Sequence, residues 1–331
     1  MAQTNVIIGV GRSGTKIFQV ITSYMMADQR GSMSLFYEPL LWKNYTLQEK
    51  ALRGIMVHKS LPLLLTTPYR ITGAQRKFFA GLGNLPGITT VTKFIRMTGR
   101  IPLLRELYPD CRLIFIYRDP VSVINSLMNV KFSLLGPPHY ESDIRTLKDE
   151  ALKLGLISGD WLRMFEAFSW GDEALHWYLM NKKAVEDLRG ADAFVISYGE
   201  MMSRKEDFLR ALGEFLKVEY RQEYLRLFDV PGYNIRFVHE LFMQNEAFGG
   251  RRNLLKGLFG DPVRPMFTGV RALEGNPIFA FRGAESQKLK RLSAEGERQL
   301  TDLCSDVLDD LRGLENYRNF LNAEMSGSMA R

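Results

Sequence analysis

The sequence predicts an α/β fold, a doubly wound parallel sheet flanked by helices. Three observations lead there. NVIIGV at 5–10, RLIFIY at 112–117 and AFVIS at 193–197 are short, almost wholly apolar runs. Runs of that kind read as strands buried on both faces, as in parallel sheets. Amphipathic helical stretches alternate with them, which is the pattern of crossover connections. The first run enters its helix through a glycine-rich turn, GVGRSGT at 9–15.

TKIFQVITSYMM follows that turn as a helix, with Ile17, Val20, Ile21 and Tyr24 on one face. SLFY at 34–37 is a short second strand ending at Glu38-Pro39, and TTVTKF at 89–94 is a third, rich in β-branched residues. IPLLRELYP at 101–109 is a helix stopped near Pro109. After the central strand 112–117, DPVSVINSLMN reads as a helix with Asp119 at its N-cap and Pro120 in its first turn. Residues 131–160 read as a loop and a helix over the core, and 161–188 as helical and aromatic-rich. Beyond strand 193–197, SRKEDFLRALGEFL at 203–216 is amphipathic. Residues 231–284 carry many Gly, Pro and Phe without a steady period and read as long loops. Ser293 to Leu321 closes the chain as helix, with SAEGE resembling a capping box. The 331 residues are expected to form one domain, 1–331, in which 131–175 and 231–284 are insertions that cover the substrate.

Composition excludes several classes. The net charge of +7 suits an anionic ligand, but the basic clusters, RR at 251–252 and KLKR at 288–291, are too short for a nucleic-acid stripe. Two cysteines and four scattered histidines give neither a disulfide framework nor metal-ligand spacing. No apolar stretch approaches the ~18 residues of a membrane span, and MAQTN lacks the regions of a signal peptide. The expectation is a reduced, soluble, cytoplasmic protein without a metal, and a homo-oligomer is compatible with the sequence.

The turn GVGRSGT gathers backbone N–H groups at a helix N-terminus, an arrangement that holds a phosphate or a similar oxyanion. Gly9 and Gly14 have the spacing of the nucleotide-triphosphatase loop, but that form needs Lys then Ser or Thr after the second glycine. Here Thr15 comes first and Lys16 second. At the end of the strand 112–117, Arg118 offers a fork suited to phosphate. Ser126 follows eight residues later, about two helical turns, and so faces the same side as the helix start. Two anion sites at neighbouring strand ends are where an open α/β sheet binds its ligand.

These two elements, GVGRSGT and IFIYRDPVSVINS, resemble the signature elements of the sulfotransferase family, and the fold is then P-loop-like. ISYGEMMSRKEDFLRALGEFL at 196–216 is similar to that family's strand-Tyr-Glu-helix segment, and LSAEGERQLTDLCSDVLDDL resembles its closing helix. The resemblance implies 3′-phosphoadenosine-5′-phosphosulfate (PAPS) as co-substrate. It implies that Arg12, Ser13, Gly14, Thr15 and Lys16 hold the 5′-phosphosulfate and that Arg118 and Ser126 hold the 3′-phosphate. Tyr198 would lie near the adenosine. FRGAESQKLK at 281–290 loosely resembles the late segment that closes over the 3′-phosphate, which carries over Arg282 and Lys288.

The resemblance also bears on catalysis. Lys93, 25 residues before Arg118, looks like the lysine of the K-T-H segment of cytosolic members, but Ile95 stands where that segment has its His. His58-Lys59-Ser-Leu-Pro lies too early in the chain and reads better as an ordinary loop. The RSGT loop and a Glu after the second strand resemble the carbohydrate and tyrosylprotein type. Glu38, 26 residues beyond Arg12, would then be the general base, with Arg12 and Lys93 stabilising the charge that builds on the sulfuryl and phosphate oxygens. The acceptor that this resemblance implies is a small-molecule or glycan hydroxyl, with carbohydrate or glycolipid favoured. Trp161, Phe168, Trp170 and Trp177 could form an acceptor platform, though helical aromatics are more often core. Two other readings stay open: a P-loop small-molecule kinase, and a non-catalytic nucleotide- or carbohydrate-binding protein of the same fold.

Overall fold

The strands are laid side by side in the order β5-β4-β1-β3-β2-β6 in a computed structural model that describes residues 3–30, 32–37, 89–129, 140–230, 266–268 and 291–321. Strand β1 is Thr4–Ile8, β2 Ser32–Tyr37, β3 Thr89–Lys93, β4 Arg112–Tyr117, β5 Ala193–Ser197 and β6 Met266–Thr268. The first five run parallel. β1 sits between β3 and β4, with Ile8 opposite Phe115 and Ile7 opposite Lys93.

Period-two alternation divides these strands between two cores. Val6, Ile8, Leu113, Phe115 and Val195 face one core, while Ile7, Ile114, Ile116, Phe194 and Ile196 face the other. Helix α1 (Thr15–Arg30) covers the second face with Ile17, Phe18 and Ile21. Helices α2 (Ile101–Leu107) and α3 (Pro120–Met128) cover the first face. Helices α4 (Tyr140–Lys153), α5 (Gly159–Glu166) and α6 (Gly171–Leu188) build out the same side. Burying both faces is what lets the strands be apolar throughout, as the sequence reads.

Three elements divide where the sequence suggested continuity. The aromatic stretch 161–188 is two helices, α5 and α6, joined by a connection in which Phe168 and Trp170 stack at 4.3 Å. The amphipathic stretch 203–216 is preceded by a separate short helix α7 (Tyr198–Ser203), and Arg204 leaves helical geometry before α8 (Lys205–Leu216). The closing helix, expected over 293–321, breaks at Cys304 into α9 (Ala294–Leu303) and α10 (Ser305–Leu314), and again at 315–316 before a last helical turn at 317–321. The break at Cys304 lets Leu300 and Leu303 of one piece and Val307 and Leu311 of the other all reach the first core. Ser293 caps α9 by accepting from the Gly296 amide at 3.0 Å. The reciprocal half of a capping box is absent because glycine stands where the box has Glu or Gln.

The region expected as long, partly ordered loops, 231–284, supplies a strand. Met266–Thr268 pairs antiparallel with β2, Met266 opposite Ser34, and covers that edge of the sheet. The far edge, β5, is covered by Asn316. Its side-chain oxygen accepts from Val195 N at 2.9 Å, and its side-chain nitrogen donates to Ala193 O at 2.7 Å. One asparagine thus satisfies backbone groups that an edge strand would leave open. Among the described residues, no helix is long and apolar enough to cross a membrane.

Candidate active site

Three adjacent strands deliver the candidate residues at their carboxyl ends. β1 runs into the turn 9–14, β3 ends at Lys93, and β4 ends one residue before Arg118. The turn is forced into its shape. Gly9, Arg12 and Gly14 all have positive φ, at 151°, 73° and 92°. A Cβ at Gly9 would stand 2.1 Å from the carbonyl oxygen of Ile116, and one at Gly14 would stand 2.3 Å from Tyr198 Cδ2. Only glycine lets the backbone pass so close to β4 and to the Tyr198 ring. Arg12 has no such excuse, and a left-handed non-glycine residue costs about 1–3 kcal/mol. Ser13 N closes the turn onto Val10 O at 3.1 Å, and α1 then starts at Thr15.

The turn and the β4–α3 connection are bonded to each other. Arg12 Nε donates to Ser126 Oγ at 3.0 Å, and Arg118 Nη1 reaches the Arg12 carbonyl at 3.4 Å. The Arg118 guanidinium lies 4.6 Å from the centre of the Tyr198 ring, the ring that Gly14 touches. Arg12, Gly14, Arg118, Ser126 and Tyr198 therefore form one connected cluster, although the sequence spreads them over 187 positions.

Local structure explains how Ser126 reaches it. Asp119 Oδ1 accepts from Ser122 N at 2.7 Å and Pro120 opens the helix, so α3 begins immediately after Arg118. Two turns later Ser126 is on the side of the helix start, and it is buried. Trp177, fully buried, donates from Nε1 to the Arg118 carbonyl at 3.1 Å and fixes the strand end from below. On β4, Tyr117 donates to Glu315 Oε1 at 2.6 Å, and the same oxygen accepts from Ser197 N at 3.0 Å. Burial, with the Glu315 carboxylate beside it, drives the Tyr117 hydroxyl far above its ordinary pKa, so it stays a donor. That bond ties together the two strand ends that carry Arg118 and Tyr198.

The remaining candidates have these positions. Lys93 is buried, opposite Ile7 on one side and Tyr37 on the other. Thr15 is buried and Lys16 half-buried. Ser13 is buried, and its Oγ finds no partner among the described residues. Glu38, Arg282, Lys288 and His58 lie outside the described residues. Trp170 and Trp177 are core residues, and Trp161 and Phe168 pack against that core. The helices of 140–175 bury Ile144, Leu147, Leu162 and Phe165 there too.

Cys111 and Cys304 are buried, and burial pushes the Cys111 thiol up to about 11 and that of Cys304 higher still. Neither has the character of a nucleophile. No three His, Cys, Asp or Glu side chains gather as metal ligands would among the described residues.

The cluster suits a nucleotide carrying two separate phosphates. The constricted turn presents backbone at a helix N-terminus, with a buried, unpartnered hydroxyl at Ser13. Arg118 and Ser126 supply a guanidinium and a hydroxyl at the next strand end, and Tyr198 supplies an aromatic face between the two. Trp177 and Glu315, which brace the strand ends that carry these groups, have no motif of their own; their role is visible only once distant segments meet.

Residues 6–222, well over half of the chain, match the family model described as "Sulfotransferase family". No curated protein matches the sequence. Solved structures similar to the chain include mouse sulfotransferase SULT7A1 complexed with PAP, at 12% identity and a TM-score of 0.39, over 96% of this chain and 88% of that one. Another is retinol dehydratase in a complex with retinol and PAP, at 13% identity and a TM-score of 0.37, over 93% and 81%. Similarity at that level assigns no residue a role. The family match, which spans the turn 9–15, Arg118, Ser126 and Tyr198, places this chain in the sulfotransferase family.

Proposed function

We propose that this protein transfers a sulfuryl group from PAPS to a hydroxyl acceptor, with a carbohydrate or glycolipid favoured. The observation that carries the reading is the joined cluster: Arg12 bonded to Ser126, Arg118 against the Arg12 carbonyl, and Tyr198 in contact with both Gly14 and Arg118. A triphosphate site has no use for a second anion cradle on the neighbouring strand; a nucleotide with a separate 3′-phosphate does.

In this reading the amides of Ser13 to Lys16 hold the 5′-phosphate side at the start of α1. Arg118 and Ser126 hold the 3′-phosphate by charge-assisted bonds, with Arg282 and Lys288 contributing from the late segment. Arg12 serves both halves. A guanidinium has five N–H donors, enough in number to bond Ser126 and to meet sulfuryl oxygens as well. The strain at its positive φ is the expected mark of a residue held for function.

The acceptor hydroxyl attacks sulfur in line. Its oxygen gains the S–O bond, the bond from sulfur to the 5′-phosphate oxygen breaks, and 3′-phosphoadenosine-5′-phosphate (PAP) leaves with that electron pair. Lys93 and Arg12 stabilise the growing charge, and Glu38 takes the hydroxyl proton. Support for Glu38 is the register of β2: Tyr37 is opposite Lys93, and Glu38 is the next residue. Residues 131–175 and 231–284, in a single domain 1–331, shape the acceptor side.

The test is incubation with sulfur-labelled PAPS and a panel of sugars, glycolipids, phenols and peptides, with Glu38→Gln run beside the parent. Label should move to a hydroxyl compound, and turnover should fall by about 10²–10⁴ in Glu38→Gln with PAP binding unchanged. Full activity in Glu38→Gln would remove the carboxylate from the mechanism.

A further inference from the structure

Asn125 stands beside Ser126 on α3 but is engaged elsewhere. Its Oδ1 accepts from two consecutive backbone amides, Arg291 N at 2.8 Å and Leu292 N at 3.0 Å. One turn further, at the C-terminal cap of α3, Asn129 Nδ2 donates back to the Asn125 carbonyl at 2.8 Å. Asn129 Oδ1 in turn accepts from Arg291 Nε at 3.2 Å. The three residues close a ring of hydrogen bonds between α3 and the root of α9. Leu292 is buried in the first core and Ser293 caps α9, so that root is itself fixed.

Helix α3 has only nine residues. Its apolar contacts, through Val123, Ile124 and Leu127, are with the first core. Such contacts hold a helix against a sheet but are not directional, so hydrogen bonds sharpen its rotation and axial position. Reading a phosphate oxygen with one hydroxyl demands placement within about half an ångström. The bond from Arg12 is one directional restraint on Ser126, and the ring adds others at the adjacent residue.

We infer that Asn125 and Asn129 are positioning residues for the nucleotide's 3′-phosphate, acting through Ser126 with Arg291 as their anchor. The inference rests on the proposed PAPS reading. A merely structural ring would lower the melting temperature and weaken all nucleotides alike. A positioning ring selectively weakens those with a 3′-phosphate.

The experiment is calorimetric binding of PAP and of 5′-AMP, which lacks the 3′-phosphate, to the parent, Asn125→Ala and Asn129→Ala. The parent should prefer PAP. Asn125→Ala should lose about tenfold in PAP affinity, as expected for a displaced charge-assisted bond, with 5′-AMP affinity within about twofold. Asn129→Ala leaves both backbone amides on Asn125, and should show the same selective loss in smaller degree; it carries the comparison should Asn125→Ala fail to fold. Equal weakening of both nucleotides, or unchanged PAP binding, overturns the inference. A parent that does not distinguish PAP from 5′-AMP overturns the proposed function instead.

Discussion

The Nε of Arg12 lies 3.0 Å from the Oγ of Ser126, 114 residues further along the chain. This bond joins the glycine-rich turn after β1 to the helix after β4. Arg118, 3.4 Å from the Arg12 carbonyl, braces the same junction. If the 3′-phosphate is the ligand of Arg118, removing this side chain should cost the 3′-phosphate far more than the 5′ side, despite the brace. Arg118→Ala is expected to weaken PAP by roughly 1.5–3 kcal/mol for each charge-assisted bond lost. Binding of adenosine 5′-phosphosulfate, which has no 3′-phosphate, should change by less than about 0.5 kcal/mol. Equal losses for both would make Arg118 a brace for the turn alone.

Gly14 gives a second test, because its constraint is steric. Its φ is 92°, and an added Cβ would fall 2.3 Å from Tyr198 Cδ2. Gly14→Ala must move either the turn or the Tyr198 ring, and both belong to the cluster. We expect a stability loss of more than ~1 kcal/mol together with loss of PAP binding, measured by denaturant melts and calorimetry. Parent-like binding would show that the turn can shift without consequence for the ligand.

The third prediction is a pH dependence at Glu200, on α7 just beyond Tyr198. Glu200 accepts from the Tyr317 hydroxyl and, at 3.1 Å, from Arg318, with Arg204 at 3.6 Å. The Tyr317 bond, opposed by desolvation and aided by Arg318 and Arg204, holds its carboxyl below the ordinary glutamate value of 4.5. A depressed carboxyl stabilises the fold above its unfolded pKa, and that stabilisation is lost as pH falls through the folded value. Glu200→Gln should therefore melt below the parent at pH 7, with the gap closing as pH drops below about 4.5. A gap that stays constant to pH 3 would show that the charge contributes nothing.

Much of this architecture is legible in the sequence because its signals are local. β1, β4 and β5 are continuous apolar runs, and Asp119-Pro120 marks a helix start directly after Arg118. What stayed hidden depends on distant partners. The break at Cys304 interrupts no periodicity; it follows from two helices both turning apolar residues to one core. β6 is three residues long, and only its pairing with β2 makes it a strand. Asn125 is an ordinary helical asparagine until Arg291 is brought to it. The spacing of Arg118 and Ser126 was readable, but the bond from Arg12 to Ser126 was not, because it joins two motifs across the sheet.

The central claim is that the cluster is built for a nucleotide with separate 5′ and 3′ phosphates, not for a triphosphate with a metal. Thermal melting with each ligand tests it most directly. PAP at about 100 times its dissociation constant should stabilise the fold by roughly 2.7 kcal/mol, a clear upward shift in Tm, while ATP with Mg²⁺ at equal concentration should shift it far less. An equal or larger shift with ATP and Mg²⁺ would contradict the account and turn the site into that of a kinase.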